Sequence, residues 1–274
     1  MHFDLLQSIS LAGDPATPND DRAGMALRHA WVIDGATDLG PPGLVGSQGG
    51  AAWLASEAQA AFTVAADGAI ETIFAGVADR LVAAYARDRT REPEGRWELP
   101  LASGLAVRIG GDALECGWLG DCSGLLRRGG QVVRLGPVAD DRGKEIAHAA
   151  SLAQHGLGNI KKNAPILADL RAGRGRPGIR VLGVLPEWMA EVETLRTPCA
   201  PGDELLLMTD GFAALVDSYA AYDTAGLMAA VAEHGLAAVA AELREIEQAD
   251  IACARFPRFK VSDDATALWL RIGG

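Results

Sequence analysis

Three short acidic motifs occur where apolar, strand-like runs end or begin. They are Val32-Ile33-Asp34-Gly35, Leu207-Met208-Thr209-Asp210-Gly211 and Ser262-Asp263-Asp264-Ala265-Thr266. Side chains at strand ends that are distant in sequence can converge at one edge of a sheet. Carboxylates that lie within a few Å repel one another, and protons or hard cations such as Mg²⁺ or Mn²⁺ stabilise the arrangement. The three motifs therefore predict a metal centre.

The chemistry expected of such a centre is the hydrolysis of a phosphate ester. A water shared by two divalent cations about 3.5–4 Å apart is acidic enough to be hydroxide near neutral pH, and the same cations orient a phosphoryl group. Ligation by oxygen alone selects Mg²⁺ or Mn²⁺ over zinc-type metals. Gly35 fits this scheme because the carbonyl of a residue without Cβ can approach a cation in a sharp turn.

Length and composition are those of a soluble, single-domain enzyme. The chain has 274 residues, of which 49% are hydrophobic and 22% charged, so it can bury a sizeable core as one domain over 1–274. A net charge of −11 disfavours sequence-independent binding to nucleic acid or to anionic lipid. The Ala-, Gly- and Arg-rich composition is compatible with a bacterial protein. We expect a soluble partner or substrate.

The cysteines and the N-terminus predict a cytoplasmic location. The four cysteines show no Cys-x-x-Cys pair and no zinc-ligand spacing, which is typical of reduced thiols: Cys116, Cys122, Cys199 and Cys253. The first residues do not form a basic segment followed by an apolar one. No later apolar run reaches the roughly 18 residues needed to cross a bilayer. Export and membrane insertion are not expected.

The elements that must position the acids follow from hydrophobic periodicity. Strands are predicted near 5–11 and 30–33, paired helices over 51–66 and 69–87, and a final strand over 265–272. Glycine pairs at 110–111 and 129–130 predict hairpins within an antiparallel meander over 105–135. A buried strand at 204–209 precedes helices over 211–248, and 137–180 reads as a mobile insertion (flap) over the sheet. The pattern favours an α+β fold with two packed sheets covered by helices.

Read in order, five motifs resemble those of the metal-dependent, type 2C protein phosphatases. The series is Asn19-Asp20-Asp21, Val32-Ile33-Asp34-Gly35, Gly120-Asp121-Cys122-Ser123-Gly124, Thr209-Asp210-Gly211 and Asp263-Asp264-Ala265-Thr266. The resemblance extends from about residue 8 to residue 272. Each motif alone is unspecific, because Asp-Gly pairs are common in turns. Their order and strand context carry the identification.

The resemblance implies a four-layer α-β-β-α sandwich of two antiparallel sheets flanked by helix pairs. It also implies two, possibly three, Mg²⁺ or Mn²⁺ ions and a phosphoprotein substrate carrying phosphoserine or phosphothreonine. Asp34 would bridge two metals, the Gly35 carbonyl would bind one, and Asp210 and Asp263 would bind the other. Asp121 would hold a third, weaker ion, and Asp20 would act through metal-bound water.

Three departures from the family pattern concern phosphate binding and proton donation. Ala16 stands where many members carry a phosphate-binding Arg. Ala36-Thr37 follows Asp34-Gly35 where some members have a proton-donating His, and Cys122-Ser123 replaces a Ser-Arg pair. Basic residues of the flap could supply the missing positive charge: Lys161, Lys162, Arg171, Arg174 and Arg176.

Two features of the sequence are compatible with other functions. A haloacid-dehalogenase-type phosphatase also uses Asp-Gly-x-Thr, as in Asp34 to Thr37, but it needs a nucleophilic Asp at the position of Val32. A phosphatase-like module that binds a phosphoprotein or a regulatory partner without turnover is suggested by Ala16. The retained acids Asp34, Asp210 and Asp263 oppose it, because clustered carboxylates are unfavourable without a metal.

Overall fold

Eleven β-strands form two antiparallel sheets in the computed structural model, which describes residues 1–138, 140–158 and 163–274. The strands are β1 His2–Leu11, β2 Arg22–Met25, β3 His29–Gly35, β4 Leu101–Gly110, β5 Ala113–Leu119, β6 Ser123–Arg128, β7 Gln131–Leu135, β8 Leu182–Gly183, β9 Glu193–Pro198, β10 Glu204–Met208 and β11 Ala265–Gly273. One sheet has the order β1-β11-β10-β6-β7, and the other has β2-β3-β4-β5-β9 with β8 paired to β4.

Six α-helices lie in the described ranges, and two pairs of them cover the outer faces of these sheets. They are α1 Gly50–Thr63, α2 Ile70–Asp88, α3 Asp140–Ser151, α4 Ala164–Arg174, α5 Asp210–Asp217 and α6 Thr224–Ala249. Buried side chains of α1 and α2, such as Leu54 and Phe74, pack with Trp31 and Ile33 on the β3 sheet. Those of α5 and α6, such as Phe212, pack on the β10 sheet. The predicted four-layer sandwich is confirmed.

A central core between the two sheets fixes their separation. Val32, Leu105, Leu207 and Leu270 are fully buried there and come from both sheets. Each contributes about 1.5–3 kcal/mol through removal of its side chain from water. These residues alternate along their strands with the ones that pack under the helices, as Val32 does with Trp31 and Ile33. The core thereby holds the ends of β3 and β10 at a fixed spacing.

The predicted meander over 105–135 is wrong in one respect, because its four strands belong to two sheets. β4 and β5 pair in one sheet, whereas β6 and β7 pair in the other. The chain crosses between them at Gly120, whose φ of 84° lies in the left-handed region that favours glycine. The crossing places Asp121 between the sheets.

The segment 137–180 contains more helix than its composition indicates. The polar sequence from Lys144 to Gln154 predicts a helix, and α3 covers part of that range. Helix α4 was not predicted, although Asn163 caps it by accepting a hydrogen bond from the Ile166 N–H at 3.2 Å. The edge strand β9 was also missed, because its sequence Glu-Thr-Leu-Arg-Thr-Pro lacks a buried face. Lys161 and Lys162 lie outside the described residues, and the expected mobility of this segment stays a prediction.

Helix α6 is long and apolar enough to satisfy the length and composition criteria for a membrane span, contrary to expectation. Gly235 interrupts it with a φ of 79° and divides it into two segments. Each segment is shorter than the about 20 residues that cross a bilayer. The buried residues of both segments, among them Leu227 and Leu243, pack in the core under α5 and the sheet. The geometry of α6 is that of a core helix.

Candidate metal centre

Asp34 lies at the end of β3, opposite Ser103 of β4. The next residue, Gly35, donates its N–H to the Asp20 carbonyl at 3.2 Å. A Cβ at Gly35 would lie 2.8 Å from that carbonyl oxygen and 3.0 Å from the Ala51 carbonyl oxygen. Glycine is therefore required for β3 to approach the Asn19-Asp20-Asp21 segment.

Asp210 reaches the same point from the other sheet, as the first residue of α5 directly after β10. One carboxylate oxygen each from Asp34, Asp121 and Asp210 lie within 4.8 Å of one another. The structure thus brings together three of the predicted site residues from β3, from the crossing after β5 and from the end of β10. This spacing suits a divalent cation ligated by oxygen.

Asp121 is held in this group by Ser103. The Ser103 hydroxyl donates to Asp121 Oδ1 at 2.5 Å and accepts from the Asp121 N–H at 3.2 Å. A Cβ at the preceding Gly120 would collide with the Ser103 side chain. Ser103 was not predicted from the sequence, and it orients a carboxylate that would otherwise project from a flexible turn.

The adjacent acids Asp263 and Asp264 have different roles. Asp264 Oδ1 accepts the Gly13 N–H at 2.8 Å, and its Oδ2 accepts the Asp20 N–H at 2.6 Å. Asp264 thus ties the last motif to the first one. Asp263 faces the cluster instead, and burial, together with the nearby charge of Asp210, raises its pKa despite the ammonium group of Lys260.

Asp21, rather than Asp20, supplies the buried carboxylate of the first motif. Asp21 is 2% exposed, and its Oδ2 accepts the Thr209 hydroxyl at 2.8 Å. Thr209 Oγ1 in turn accepts the Thr266 N–H at 3.0 Å. Asp20 is half-buried, and its backbone bonds to Asp264 and Gly35. The predicted role of Asp20 through water stays a prediction, and Asp21 was overlooked although it belongs to the same motif.

Like charges and burial raise the pKa values of these carboxyl groups. Burial raises the pKa of Asp34 well above its usual range, and the charges of Asp210, Asp21 and Asp263 add to the effect. Burial likewise raises the pKa of Asp21, against the Thr209 hydrogen bond and with the help of Asp263. Without positive charge, the cluster therefore retains protons at a pH where exposed aspartates are ionised.

These residues fit a Mg²⁺ or Mn²⁺ centre. The donor set consists of carboxylate oxygens and the backbone at Gly35, which hard cations prefer over softer metals. Asp21 Oδ1 is buried and has no hydrogen-bond partner among the described residues. A buried carboxylate oxygen without a partner is unfavourable, and a cation or its water shell would satisfy it.

Lys260 is a cation of the site that the sequence analysis did not identify. Its Nζ lies 2.6 Å from Asp263 Oδ1. Burial opposes the charge, but Asp263, Asp34 and Asp210 together raise the pKa of Lys260 above its usual value. Its position three residues before Asp263 was the available signal, but a lysine near an acidic motif more often forms a surface pair.

A cavity of about 980 Å³ opens above the acids. The described walls of the cavity come from the predicted centre, from α3 and α4, and from residues 255–260 before β11. His148 of α3 contacts the Phe259 ring at 5.6 Å and lies 2.7 Å from Asp169 of α4, joining the two sides of the cavity mouth. Ala36 and Thr37 line the cavity, so no histidine follows Asp34-Gly35 there.

Of the described basic residues expected to bind phosphate, one is engaged in contacts with the protein and two line the cavity. The Arg171 guanidinium donates twice to the Leu39 carbonyl, at 2.8 and 2.5 Å, and lies 4.0 Å from the centre of the Trp97 ring. Arg174 and Arg176 line the cavity. Ala16 is exposed in the turn after Asp14 and is not among the described cavity-lining residues.

Comparison with known proteins agrees with this geometry. The sequence profile of the family described as Protein phosphatase 2C matches residues 15–246. The crystal structure of the Mycobacterium tuberculosis serine/threonine phosphatase PstP/Ppp superposes with a TM-score of 0.62 at 18% identity, covering 100% of each chain. The catalytic domain of PstP in complex with two manganese ions gives 0.56 at 17% identity, covering 100% of this chain and 99% of that one. PppA of Pseudomonas aeruginosa gives 0.56 at 16% identity, covering 99% and 98%.

No curated protein sequence matches the chain significantly. At identities below 20%, the structural likeness establishes the shared fold.

Proposed function

This chain belongs to the protein phosphatase 2C family and is therefore a metal-dependent serine/threonine phosphatase; we propose that the acids between its sheet ends hold the catalytic cations. The observation that carries the assignment is the group formed by Asp34, Asp121 and Asp210, whose oxygens lie within 4.8 Å of one another. Buried Asp21 and half-buried Asp263 lie beside this group. Such a concentration of negative charge is stabilised by protons or by hard cations such as Mg²⁺ or Mn²⁺.

The residues that would hold the cations follow from their positions. Asp34, central to the group, would be shared by two ions, with the Gly35 carbonyl on one of them and Asp210 and Asp263 on the other. Asp121, fixed by Ser103, would hold a third, weaker ion. When bound, two such ions acidify a shared water and orient the phosphoryl group for in-line displacement.

Protein groups around the acids position them. Thr209 fixes the carboxylate plane of Asp21, and Asp264 holds the backbone of the first motif against the last. Arg244 donates to the Asp263 carbonyl at 2.8 Å and thereby holds the loop that carries this acid. These bonds preorganise the ligands, so that little rearrangement is needed when a substrate binds.

A phosphoprotein is the proposed substrate, and the cytoplasm is the proposed location. The cavity above the acids is large enough for a peptide segment carrying a phosphorylated side chain. All four cysteines are buried free thiols, which is typical of a reducing compartment. The absence of nucleic-acid and membrane partners stays a prediction based on the net charge of −11.

The alternative, a binding module without turnover, is not favoured by the structure. It was suggested by Ala16, which is exposed outside the cavity. A module that had lost turnover would have no need to keep mutually repelling acids such as half-buried Asp34 and buried Asp21.

The test is phosphate release from a phosphothreonine peptide and from a small aryl phosphate. Activity is expected with Mn²⁺ or Mg²⁺, to disappear on chelation, and to return when the metal is restored. Asp34→Asn should abolish turnover, whereas Asp112→Asn, an equivalent change in the exposed turn between β4 and β5, should leave it unchanged. Full activity after exhaustive chelation would refute the assignment.

A further inference from the structure

Arg174, the last residue of α4, lines the cavity and has no hydrogen bond or ion pair with any described residue. Arg174 is partly buried, and desolvation lowers the pKa of its guanidinium to about 10. A guanidinium that has lost part of its water shell and gained no described anion in exchange is unfavourably placed. The position therefore favours binding of a negative group.

Other arginines of the same segment have partners or are hydrated. Arg171 bonds to the Leu39 carbonyl and stacks on Trp97. Arg180 pairs with Glu191 at 2.7 Å, and Arg176 is exposed. Among the described arginines of this segment, Arg174 thus combines partial burial with the lack of a described partner.

Asp38 is the acid whose charge raises the pKa of Arg174, but its carboxylate is already engaged. Its Oδ2 accepts the Gly50 N–H at 2.8 Å, and its Oδ1 accepts the Ala51 N–H at 3.2 Å, at the start of α1. Asp38 therefore fixes a helix end and makes no ion pair with Arg174. Among the described residues, none accepts a hydrogen bond from the guanidinium, whose five N–H groups can serve a ligand.

Two of the cations that line the cavity, Lys260 and Arg174, have different surroundings. The charges of Asp263, Asp34 and Asp210 act on Lys260, whereas Asp38 acts on Arg174. Lys260 is thus next to the proposed metal ligands, whereas Arg174 belongs to the α4 wall of the cavity, and none of these ligands is among the charges that act on it. A substrate whose phosphoryl group sits at the acids would reach Arg174 with another part of its structure.

We propose that Arg174 forms a second anion-binding subsite, which recognises an acidic side chain near the phosphorylated residue of a protein substrate. A guanidinium binds a carboxylate through two parallel hydrogen bonds, a geometry that gives both affinity and specificity. The proposal rests on the function proposed above and adds a preference for acidic sequences. That preference is diagnostic, because a chain with a net charge of −11 otherwise repels acidic peptides.

The experiment compares two phosphothreonine peptides that differ only in three flanking residues on each side, Glu in one and Gln in the other. A small aryl phosphate serves as a substrate without flanking groups. For the wild-type protein with Mn²⁺, kcat/KM should be about tenfold higher for the Glu peptide, and the difference should lie in KM. In Arg174→Met the preference should disappear while hydrolysis of the aryl phosphate is unchanged.

Further variants separate recognition from a structural role. Arg174→Lys should retain part of the preference, because the charge remains but the paired hydrogen bonds do not. Arg180→Gln, which removes a cation of the same segment that is not among the described cavity-lining residues, should retain it fully. The melting temperature of Arg174→Met should not fall, because the substitution removes a partly buried charge and breaks no ion pair with a described residue.

Several results would overturn the inference while leaving the phosphatase assignment intact. The first is equal kcat/KM of the wild-type enzyme for the Glu and Gln peptides. The second is a preference for the Glu peptide that survives in Arg174→Met. The third is a loss of kcat/KM in Arg174→Met that is as large for the aryl phosphate as for the Glu peptide. If no substrate is hydrolysed, the phosphatase assignment fails instead. In that case, fluorescence anisotropy measures the affinity of each peptide for the wild-type protein and for Arg174→Met. Equal affinity of the two proteins for the Glu peptide overturns the inference.

Discussion

At the scale of single residues, two pairs of adjacent acids combine ligand and support. In Asp263-Asp264, the first carboxylate faces the cluster, and the second accepts backbone N–H groups from Gly13 and Asp20. In Asp20-Asp21, the second carboxylate is the buried one, and the first residue contributes backbone bonds. Each pair thus places one carboxylate in the cluster and uses its neighbour to hold the surrounding backbone.

Asp34 and Asp121 should differ in their effect on metal binding. Asp34→Asn removes the charge from the carboxylate proposed to be shared by two ions, so we expect the loss of both tight Mn²⁺ sites and of turnover. Asp121→Asn keeps the Ser103 hydrogen bond and should weaken only a third, labile ion. Calorimetric titration with Mn²⁺ measures the number of sites in each variant. Two tight sites in Asp34→Asn would show that Asp34 is not shared.

Sequence motifs located most of the centre, but not its supporting contacts. Asp34, Asp121 and Asp210 were predicted because each one follows or starts an element at a recognisable motif, and they do converge. Asp21, Ser103 and Lys260 were not identified, because their roles depend on contacts between residues that are distant in sequence. Such contacts leave no local periodicity to read.

At the scale of elements, the centre depends on the close approach of α5 to the loop before β11. A Cβ on Gly211, in the first turn of α5, would lie far inside van der Waals contact with the Asp264 carbonyl. The loop before β11 also carries Asp263, so the spacing between α5 and this loop sets the spacing between Asp210 and Asp263. The helix, the loop and the proposed metal ligands Asp210 and Asp263 therefore move together.

Gly211→Ala should separate these elements and weaken metal binding. Forcing a methyl group against a backbone carbonyl typically destabilises a core by about 1–3 kcal/mol. Gly76→Ala is the matched control: Gly76 lies within α2, a Cβ there has no neighbour within 4 Å, and alanine favours the helix by up to about 1 kcal/mol. Urea unfolding and Mn²⁺ titration measure both effects. Normal metal affinity in Gly211→Ala would contradict the coupling.

The elements were predicted well where periodicity was clear and poorly where tertiary context decides. Helices α1 and α2 have strong apolar periodicity and were placed within a few residues. Helix α4 was missed because glycine and arginine surround it, and its burial depends on the neighbouring turn Arg96–Glu98 and Leu39. The division of the strands over 101–135 between two sheets requires the crossing at Gly120, which resembles an ordinary turn in sequence.

At the scale of the whole molecule, metal binding should be linked to stability and to pH. Burial, followed by like charges, raises the pKa values of Asp34, Asp21 and Asp263 in the metal-free protein. The folded chain therefore holds protons that the unfolded chain releases. Its free energy of unfolding should fall as the pH rises from about 4, near the ordinary aspartate pKa, through the raised values.

Bound cations should offset this fall in the free energy of unfolding, because they replace the protons on the carboxyl groups. The melting temperature of the chelated protein is expected to be lower at pH 8 than at pH 6, and Mn²⁺ should raise it more at pH 8. Asp34→Asn should reduce the pH dependence of the chelated protein, because one of the raised carboxyl groups is gone. Scanning fluorimetry across this range is the measurement. A chelated protein that became more stable towards pH 8 would contradict the linkage.

The position of β11 has a consequence for the timing of activity. β11 lies between β1 and β10, so the strand nearest the start of the chain is joined to its sheet only through the strand synthesised last among those described. Asp263 and the Asp264 bonds to the first motif also arrive with it. A chain still growing on the ribosome therefore lacks both the sheet and the complete ligand set. The phosphatase should acquire its metals, and with them its activity, only after synthesis of β11, so that partly made chains are inert towards phosphoproteins in the cell.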